Sequence, residues 1–225
     1  MKLEHTFIAA EKKVILPYMP IREFEVESVG ELPQKPVYEL IKRCFDVTLS
    51  AFLLLLLAIP MLAIGLAVKV TSPGPALYTQ ERLGKDGKQI KICKFRSMVS
   101  DSEIDTIRWS YDEDPRVTPL GRILRKYHID ELPQLWDIFR GALSFVGPRP
   151  EREVFYDAFE TYIHGFRERL KVKPGLTGLA QVTGGSAMPP EEKIVCDIDY
   201  IRNRSVLLDL KLIVKTLVVV LLGRF

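Results

Sequence analysis

The sequence predicts an α+β fold, mostly α. A re-entrant helix-break-helix enters a membrane, and a compact cytosolic domain of short strands and amphipathic interfacial helices follows it. Three observations predict this. A charge-free apolar run covers residues 49–68, with Pro60 near its middle. Basic residues flank that run on both sides. Beyond it, short alternating stretches mix with helical periodicities, punctuated by glycine and proline.

Three regions follow along the chain: an amino-terminal extension over residues 1–40, the membrane helix over 41–70, and a folded polar domain over 71–225. Residues 1–35 are mixed and charged, with Pro33 and Pro36 near their end. They have room for a short strand or helix, and no function is assigned to them. Neither an internal repeat nor a low-complexity tract is visible.

About 20 helical residues reach roughly 30 Å, the thickness of a bilayer's hydrocarbon core. A buried core helix would show a polar face, and residues 49–68 show none. Pro60 removes a backbone donor and its ring crowds the carbonyl of Leu56, so a kink is expected there. Lys42 and Arg43 precede the run; Lys69, Arg82, Lys85, Lys88, Lys91, Lys94 and Arg96 follow it. The preference of basic flanks for the cytoplasm draws both ends to one side, which a re-entrant hairpin satisfies and a spanning helix does not. A proline-kinked spanning helix remains the alternative.

Downstream, residues 76–80 and 89–95 read as strands on either side of the turn Gly84-Lys85-Asp86-Gly87. Helical patterns are expected over 119–128, 131–140, 151–169 and 191–203. Residues 206–225 are apolar but broken by Asp209, Lys211 and Lys215, which suits an amphipathic helix on the membrane surface or on the core.

Composition narrows the function classes. The 225 residues suffice for one substantial domain with appendages, and 47% hydrophobic content supports a core. A net charge of +3 argues against a general nucleic-acid binder. Cys44, Cys93 and Cys196 are odd in number and far apart, without zinc-ligand spacing, which suits a reducing compartment. Glu4, Glu11, Lys12 and Lys13 interrupt what a cleaved signal peptide would need to keep apolar.

The chemistry centres on His128-Ile129-Asp130-Glu131-Leu132-Pro133-Gln134-Leu135-Trp136. Asp is a preferred helix N-cap and Pro is accepted in a first turn. Asp130 is therefore expected to cap a helix with Glu131 at its first position. From this stretch alone the structural reading, a capped helix with a balanced dipole, is favoured. The functional reading uses the same geometry: a helix amino terminus holds a phosphate beside Asp130, and that carboxylate attacks an activated phosphoryl group. Glu131 would be the neighbouring proton acceptor or electrostatic partner. Candidate phosphate-binding cations are Lys94, Arg96, Arg122, Arg125 and Arg149, with Lys126 beside them. Arg149 stands between two prolines in Gly147-Pro148-Arg149-Pro150, which stiffens its backbone. Gly175 and Gly178 mark a tight turn that either approaches a ligand or connects elements.

From about Ile41 onward the chain resembles the bacterial sugar transferase family, the monotopic phosphoglycosyl transferases. The resemblance rests on Lys42-Arg43-Cys44-Phe45-Asp46, the kinked apolar run, Lys94-Phe95-Arg96-Ser97-Met98, Asp130-Glu131-Leu132-Pro133-Gln134-Leu135, Ser144-Phe145-Val146-Gly147-Pro148-Arg149-Pro150 and Pro174-Gly175-Leu176-Thr177-Gly178, in the family's order. Singly these are weak motifs; as a set they are specific. The resemblance implies a membrane helix bent at Pro60, a nucleophilic Asp130 assisted by Glu131, and Mg2+ on the diphosphate with Asp130 at the metal. It matches Lys94, Arg125 and Arg149 to basic active-site positions. Two departures stand out. Gln181-Val182-Thr183-Gly184-Gly185 lacks the arginine usual at its end, and Gly141-Ala142 lacks an acidic residue often found there.

The expected activity is transfer of a sugar-1-phosphate from a UDP-sugar to polyprenyl (undecaprenyl) phosphate. It would proceed through an aspartyl-phosphosugar and release UMP, as the first membrane step of exopolysaccharide or other surface glycan synthesis. The partners expected are the UDP-sugar, the polyprenyl phosphate lipid and the membrane, with a second copy of the chain and downstream glycosyltransferases as further candidates; nucleic acid is not among them. The expected location is the bacterial inner membrane, with the catalytic domain on its cytoplasmic face. The rival enzyme moves the sugar without its phosphate and releases UDP. The rival from another class is a silent membrane adaptor.

Overall fold

A computed structural model describes residues 5–9, 12–16, 23–99, 106–108, 114–185 and 188–221. In chain order the strands are β1 (His5–Ala9), β2 (Lys12–Leu16), β3 (Phe24–Glu25), β4 (Leu77–Leu83), β5 (Gln89–Phe95), β6 (Thr106–Arg108), β7 (Ser144–Val146), β8 (Ile163–His164) and β9 (Gly175–Thr177). The helices are α1 (Pro36–Leu56), α2 (Ala58–Thr71), α3 (Pro119–Lys126), α4 (Gln134–Phe139), α5 (Glu153–Glu160), α6 (Leu179–Gly184), α7 (Pro190–Asn203) and α8 (Val206–Leu221). The class is α+β and mostly α, as expected. The sheets are small: β1-β2-β6, the antiparallel hairpin β4-β5, and the parallel pairs β3-β8 and β7-β9.

The apolar run lies within α1 and α2, which meet at a 64° bend. No single described helix is long and apolar enough to cross a membrane; this bent pair passes the same test only when joined. The break is at Leu57 (φ −95°, ψ 4°), three residues before Pro60. Proline offers no N–H to the Leu56 carbonyl, so the ladder opens ahead of it, and Pro60 then sits in the first turn of α2, where no donor is required. The run is not a core helix: Leu55 is 82% exposed and Ile59 80%, with Leu62, Leu66 and Val70 also open. α1 begins at Pro36, so residues 36–40 form its first turns rather than part of the extension.

Three polar residues fasten α1 to the polar domain. Lys42 pairs with Asp209 of α8 at 2.7 Å. Arg43 donates to the carbonyls of Ile138 (2.9 Å) and Phe139 (2.8 Å) at the carboxyl end of α4, where Ile138 also accepts the Gly141 N–H. Asp46, buried, accepts from the Ser144 hydroxyl (3.1 Å) and the Phe145 N–H (3.0 Å) at β7. Asp209 does not interrupt α8; it is one of these anchors. Residues 222–225 of the expected terminal helix lie outside the described residues.

The main core gathers Ile138, Leu143, Phe159, Ile163, Phe166, Ile194, Ile201 and Leu212, with Phe24, Val26, Val29 and Leu32 of the extension packed against it. A smaller cluster of Val68, Phe95 and Leu124 joins α2 and α3 to β5. The single helix expected over 151–169 is instead α5, β8 and a 3-10 segment, Phe166–Lys171. α5 stops at Glu160, Ile163–His164 pairs with the distant Phe24–Glu25, and Gly165 at φ +92° turns the chain into the 3-10 segment.

Strands β7 and β9 lie so close that side chains are excluded between them. A Cβ on Gly175 would fall 2.1 Å from the Gly147 nitrogen, and one on Gly147 would fall 2.4 Å from the Lys173 carbonyl oxygen. Both obstacles are backbone. Gly175→Ala is therefore expected to destabilise the fold by about 3 kcal/mol. Thermal melting of the detergent-solubilised variant checks this, and an unchanged melting temperature would refute the close approach.

Candidate active site

Asp130 and Glu131 lie on a 3-10 turn, Ile129–Glu131, ahead of α4. The turn is entered through His128 in the left-handed region (φ 53°), an uncommon conformation for a residue with a side chain. This corrects the capping geometry. α4 starts at Gln134 with Pro133 as its N-cap, and Asp130 does not cap it. Proline has no N–H to continue the turn's ladder, so the carboxylates sit one short element upstream of the helix. The expected anion cradle at a helix amino terminus gives way to a site built from cationic side chains.

Those cations come from three elements. Lys94, on β5, reaches Glu131 Oε1 with its Nζ at 2.6 Å. Arg149, in the loop after β7, bonds both Glu131 oxygens: Nη1 donates to Oε2 at 3.3 Å and Nη2 to Oε1. Arg125, half-buried on α3, adds its charge to the field at Asp130. Asp137 fixes β5 against α4: its carboxylate accepts the Cys93 N–H at 2.8 Å, one residue before Lys94, and pairs with Arg140.

The two neighbouring carboxylates are treated unequally, although each is 6% exposed. Burial pushes the Glu131 carboxyl upward, yet Arg149, then Lys94, outweigh it and hold it well below the ordinary carboxylate range. For Asp130, burial first and the Glu131 charge second win over Lys94, Arg125 and Arg149, pushing it up to about 6. Burial pulls the Lys94 ammonium down, Glu131 opposing and Arg149 assisting. Arg149 is raised, chiefly by Glu131. Among the described residues no hydrogen bond or ion pair holds the Asp130 carboxylate, whereas both Glu131 oxygens are occupied.

Two expected phosphate ligands stand apart. Arg96 is buried at the end of α2, where Nη2 donates to the Ser72 carbonyl and hydroxyl, each at 2.7 Å. It caps that helix, because open carbonyls at a helix carboxyl end attract a guanidinium. Arg122 is exposed on α3. Sequence reasoning missed Lys193, which contributes to the positive field around Arg149, and Arg152, which adds its charge beside Arg82, and gave Arg82 no site role. Arg82 and Lys193 are distant along the chain, and nothing in the sequence separates Arg152 from an ordinary surface charge.

Among the described residues no three His, Cys, Asp or Glu side chains converge as metal ligands. Glu131 is committed to its cations. A magnesium ion would find in Asp130 the one carboxylate of the pair that no cation occupies among the described residues.

The family model described as bacterial sugar transferase matches residues 37–223. A UDP-N-acetylgalactosamine-undecaprenyl-phosphate N-acetylgalactosaminephosphotransferase of Aeromonas hydrophila is 39% identical over 198 residues, covering 87% of this chain and 47% of that protein. A UDP-glucose:undecaprenyl-phosphate glucose-1-phosphate transferase of Escherichia coli K12 is 38% identical, covering 85% and 44%. One of the same description from Caulobacter vibrioides is 42% identical, covering 83% and 72%. The chain thus spans less than half the length of the first two relatives.

The raised Asp130 has a measurable consequence for stability. Its folded pKa, about 6, exceeds its ordinary 3.8, so the folded state holds the proton more tightly. Stability is then lost as pH rises from about 4 to about 6, and the loss is complete above that window. Asp130→Asn escapes it. The variant should gain on the wild type by on the order of 2 kcal/mol between pH 4 and pH 8, a relative shift of roughly 5 °C in melting temperature. A melting difference independent of pH would contradict the unequal pair.

Proposed function

The chain belongs to the bacterial sugar transferase family, and from that premise we propose that it transfers a sugar-1-phosphate from a UDP-sugar to undecaprenyl or another polyprenyl phosphate. The observation that carries this reading is the unequal carboxylate pair. Glu131 is tied by two cations, and Asp130 is left open beside it. An untied carboxylate in a cationic, largely dry site is a competent nucleophile toward phosphorus.

In the first half-reaction an Asp130 oxygen attacks the sugar-linked phosphorus, the bond to the bridging oxygen breaks, and UMP leaves. The sugar-1-phosphate remains on Asp130. In the second, a lipid phosphate oxygen attacks the same phosphorus, releasing the Asp130 carboxylate and forming the lipid-diphosphate-sugar. Glu131 is a poor proton acceptor, since its cations keep it ionised. Its role is to hold Lys94 and Arg149 at fixed positions facing the phosphates. Arg82 and Lys193 supply further positive charge around Arg149, and Arg152 adds its charge beside Arg82, in a chain that has Gly185 where the resemblance leads one to expect an arginine. Magnesium, when bound, would neutralise charge on the diphosphate, with Asp130 the residue to hold it.

One substrate is soluble and the other is lipid-bound, so the site belongs at a membrane surface. The exposed apolar faces of α1 and α2, and the fastening of α1 by Lys42, Arg43 and Asp46, support a re-entrant helix with both ends on the cytoplasmic face of the bacterial inner membrane. The product would begin exopolysaccharide or another surface glycan.

Two experiments test this reading. The wild type, incubated with magnesium and UDP-glucose or UDP-N-acetylgalactosamine but without lipid acceptor, should gain the mass of a hexose phosphate or an N-acetylhexosamine phosphate respectively, localised by peptide mass spectrometry to Asp130. Asp130→Asn should show no adduct and no UMP release; turnover in that variant, or UDP as the product, would overturn the mechanism. Tags at the two termini should label from the same side of sealed vesicles, and labelling from opposite sides would make the helix a spanning one.

A further inference from the structure

The loop that presents Arg149 is held by its carbonyl groups. Pro148 and Pro150 have no N–H, so the segment offers few other handles. Each of its three consecutive carbonyls is taken by a different partner. Pro148 O accepts the Gly175 N–H at 2.9 Å. Pro150 O accepts from Arg82 Nη1 at 3.2 Å. Arg149 O accepts from Arg169 Nη2 at 3.0 Å.

Arg169 is the most enclosed of these partners. It lies on the 3-10 segment Phe166–Lys171 and is 2% exposed. The same Nη2 pairs with Asp197 Oδ2 of α7 at 2.6 Å, and Asp197 is 1% exposed. The guanidinium lies over the rings of Phe166, at 4.9 Å, and Tyr156, at 5.8 Å. A substrate cannot reach a charge so enclosed. Nor does such a pair explain itself by stability, because desolvation cancels much of its attraction and an apolar pair of similar volume serves a fold equally well.

We propose that Arg169 and Asp197 are positioning residues: their buried ion pair fixes the backbone at Arg149, and thereby the grip of Arg149 on Glu131. The chain of contacts is continuous. Asp197 orients Arg169, Arg169 holds the Arg149 carbonyl, and the Arg149 side chain bonds both Glu131 oxygens. The prolines on either side allow little local adjustment, so a shift of the carbonyl moves the guanidinium with it. The kinetic part of this inference rests on the sugar-phosphate transfer proposed above; the structural part does not.

The test uses the full chain in detergent micelles, with UDP-glucose and UDP-N-acetylgalactosamine as donors and a polyprenyl phosphate as acceptor. Arg169→Met combined with Asp197→Leu removes both charges and should melt within about 5 °C of the wild type. Its kcat for UMP release should fall about tenfold or more, while KM for the donor changes less than about threefold. Adding Arg149→Ala to that variant should cost less than about threefold further, although Arg149→Ala alone costs about tenfold or more, the non-additivity of residues acting through one another. Hydrogen exchange at the Gly175 amide, which bonds the loop, should quicken about tenfold.

Wild-type kcat in the folded double variant, or full additivity with Arg149→Ala, would overturn the proposal. If the double variant does not fold, Arg169→Lys decides: it keeps a charge for Asp197 but loses the rigid planar guanidinium that holds one nitrogen, Nη2, between Asp197 and the Arg149 carbonyl. The same fall in kcat supports the proposal, and an unchanged kcat overturns it. If the wild type itself releases no UMP, the functional reading fails instead. Gly175 exchange in Arg169→Lys then judges the positioning alone, and an unchanged rate sinks it.

Discussion

The Glu131 carboxylate, clamped between Lys94 and Arg149, is the contact on which the rest of the site depends. It joins three parts of the chain that are far apart in sequence: the hairpin strand β5, the turn before α4, and the loop after β7. It also decides the character of its neighbour. Burial, and then the ionised Glu131 beside it, make Asp130 hold its proton more firmly than an ordinary aspartate, and among the described residues it has no fixed partner. One carboxylate organises the cations and, on the mechanism proposed above, the other is left for chemistry. Burial creates the contrast, and the adjacent charge of Glu131 sharpens it.

Much of the scaffold around this clamp exists to keep its members still. Asp137 ties the backbone beside Lys94 to α4, and close contact between Gly147 and Gly175 locks the start of the Arg149 loop onto β9. Arg43 and Asp46 tie α1 to the carboxyl end of α4 and to β7. A helix with exposed apolar surface is therefore bonded directly to elements that flank Asp130. That arrangement suits chemistry in which a small displacement of charge is costly.

How far the sequence could be read depended on the range of each interaction. The strand Gln89–Phe95 and the helix Pro190–Asn203 follow from local periodicity, and the structure has both. Asp130 and Glu131 were visible because they are adjacent, and Arg149 because prolines bracket it. The break before Pro60 was legible in kind but shifted to Leu57, since a missing donor disturbs the turn ahead of it. The helix expected over 151–169 failed because Ile163–His164 pairs with Phe24–Glu25, a partner beyond the reach of any local pattern. Arg96 and Lys94 look alike in sequence, two residues apart on one basic stretch. Only the end of α2 beside Arg96 separates a helix cap from a member of the clamp. Arg169 and Asp197 carried no signal at all, being ordinary charges until the fold buries them together.

The bend at Leu57 and the latch at Asp46 together amount to a depth gauge. The interval between them, 57 − 46 = 11 residues of unbroken helix, corresponds to ~16 Å. That is about half of the ~30 Å hydrocarbon layer. On the re-entrant reading, a helix pinned to the protein at the water boundary turns back near the midplane, having sampled a single leaflet. The length of one stretch of α1 would then decide the height at which the whole catalytic surface floats, and so which part of a lipid headgroup stands level with Asp130.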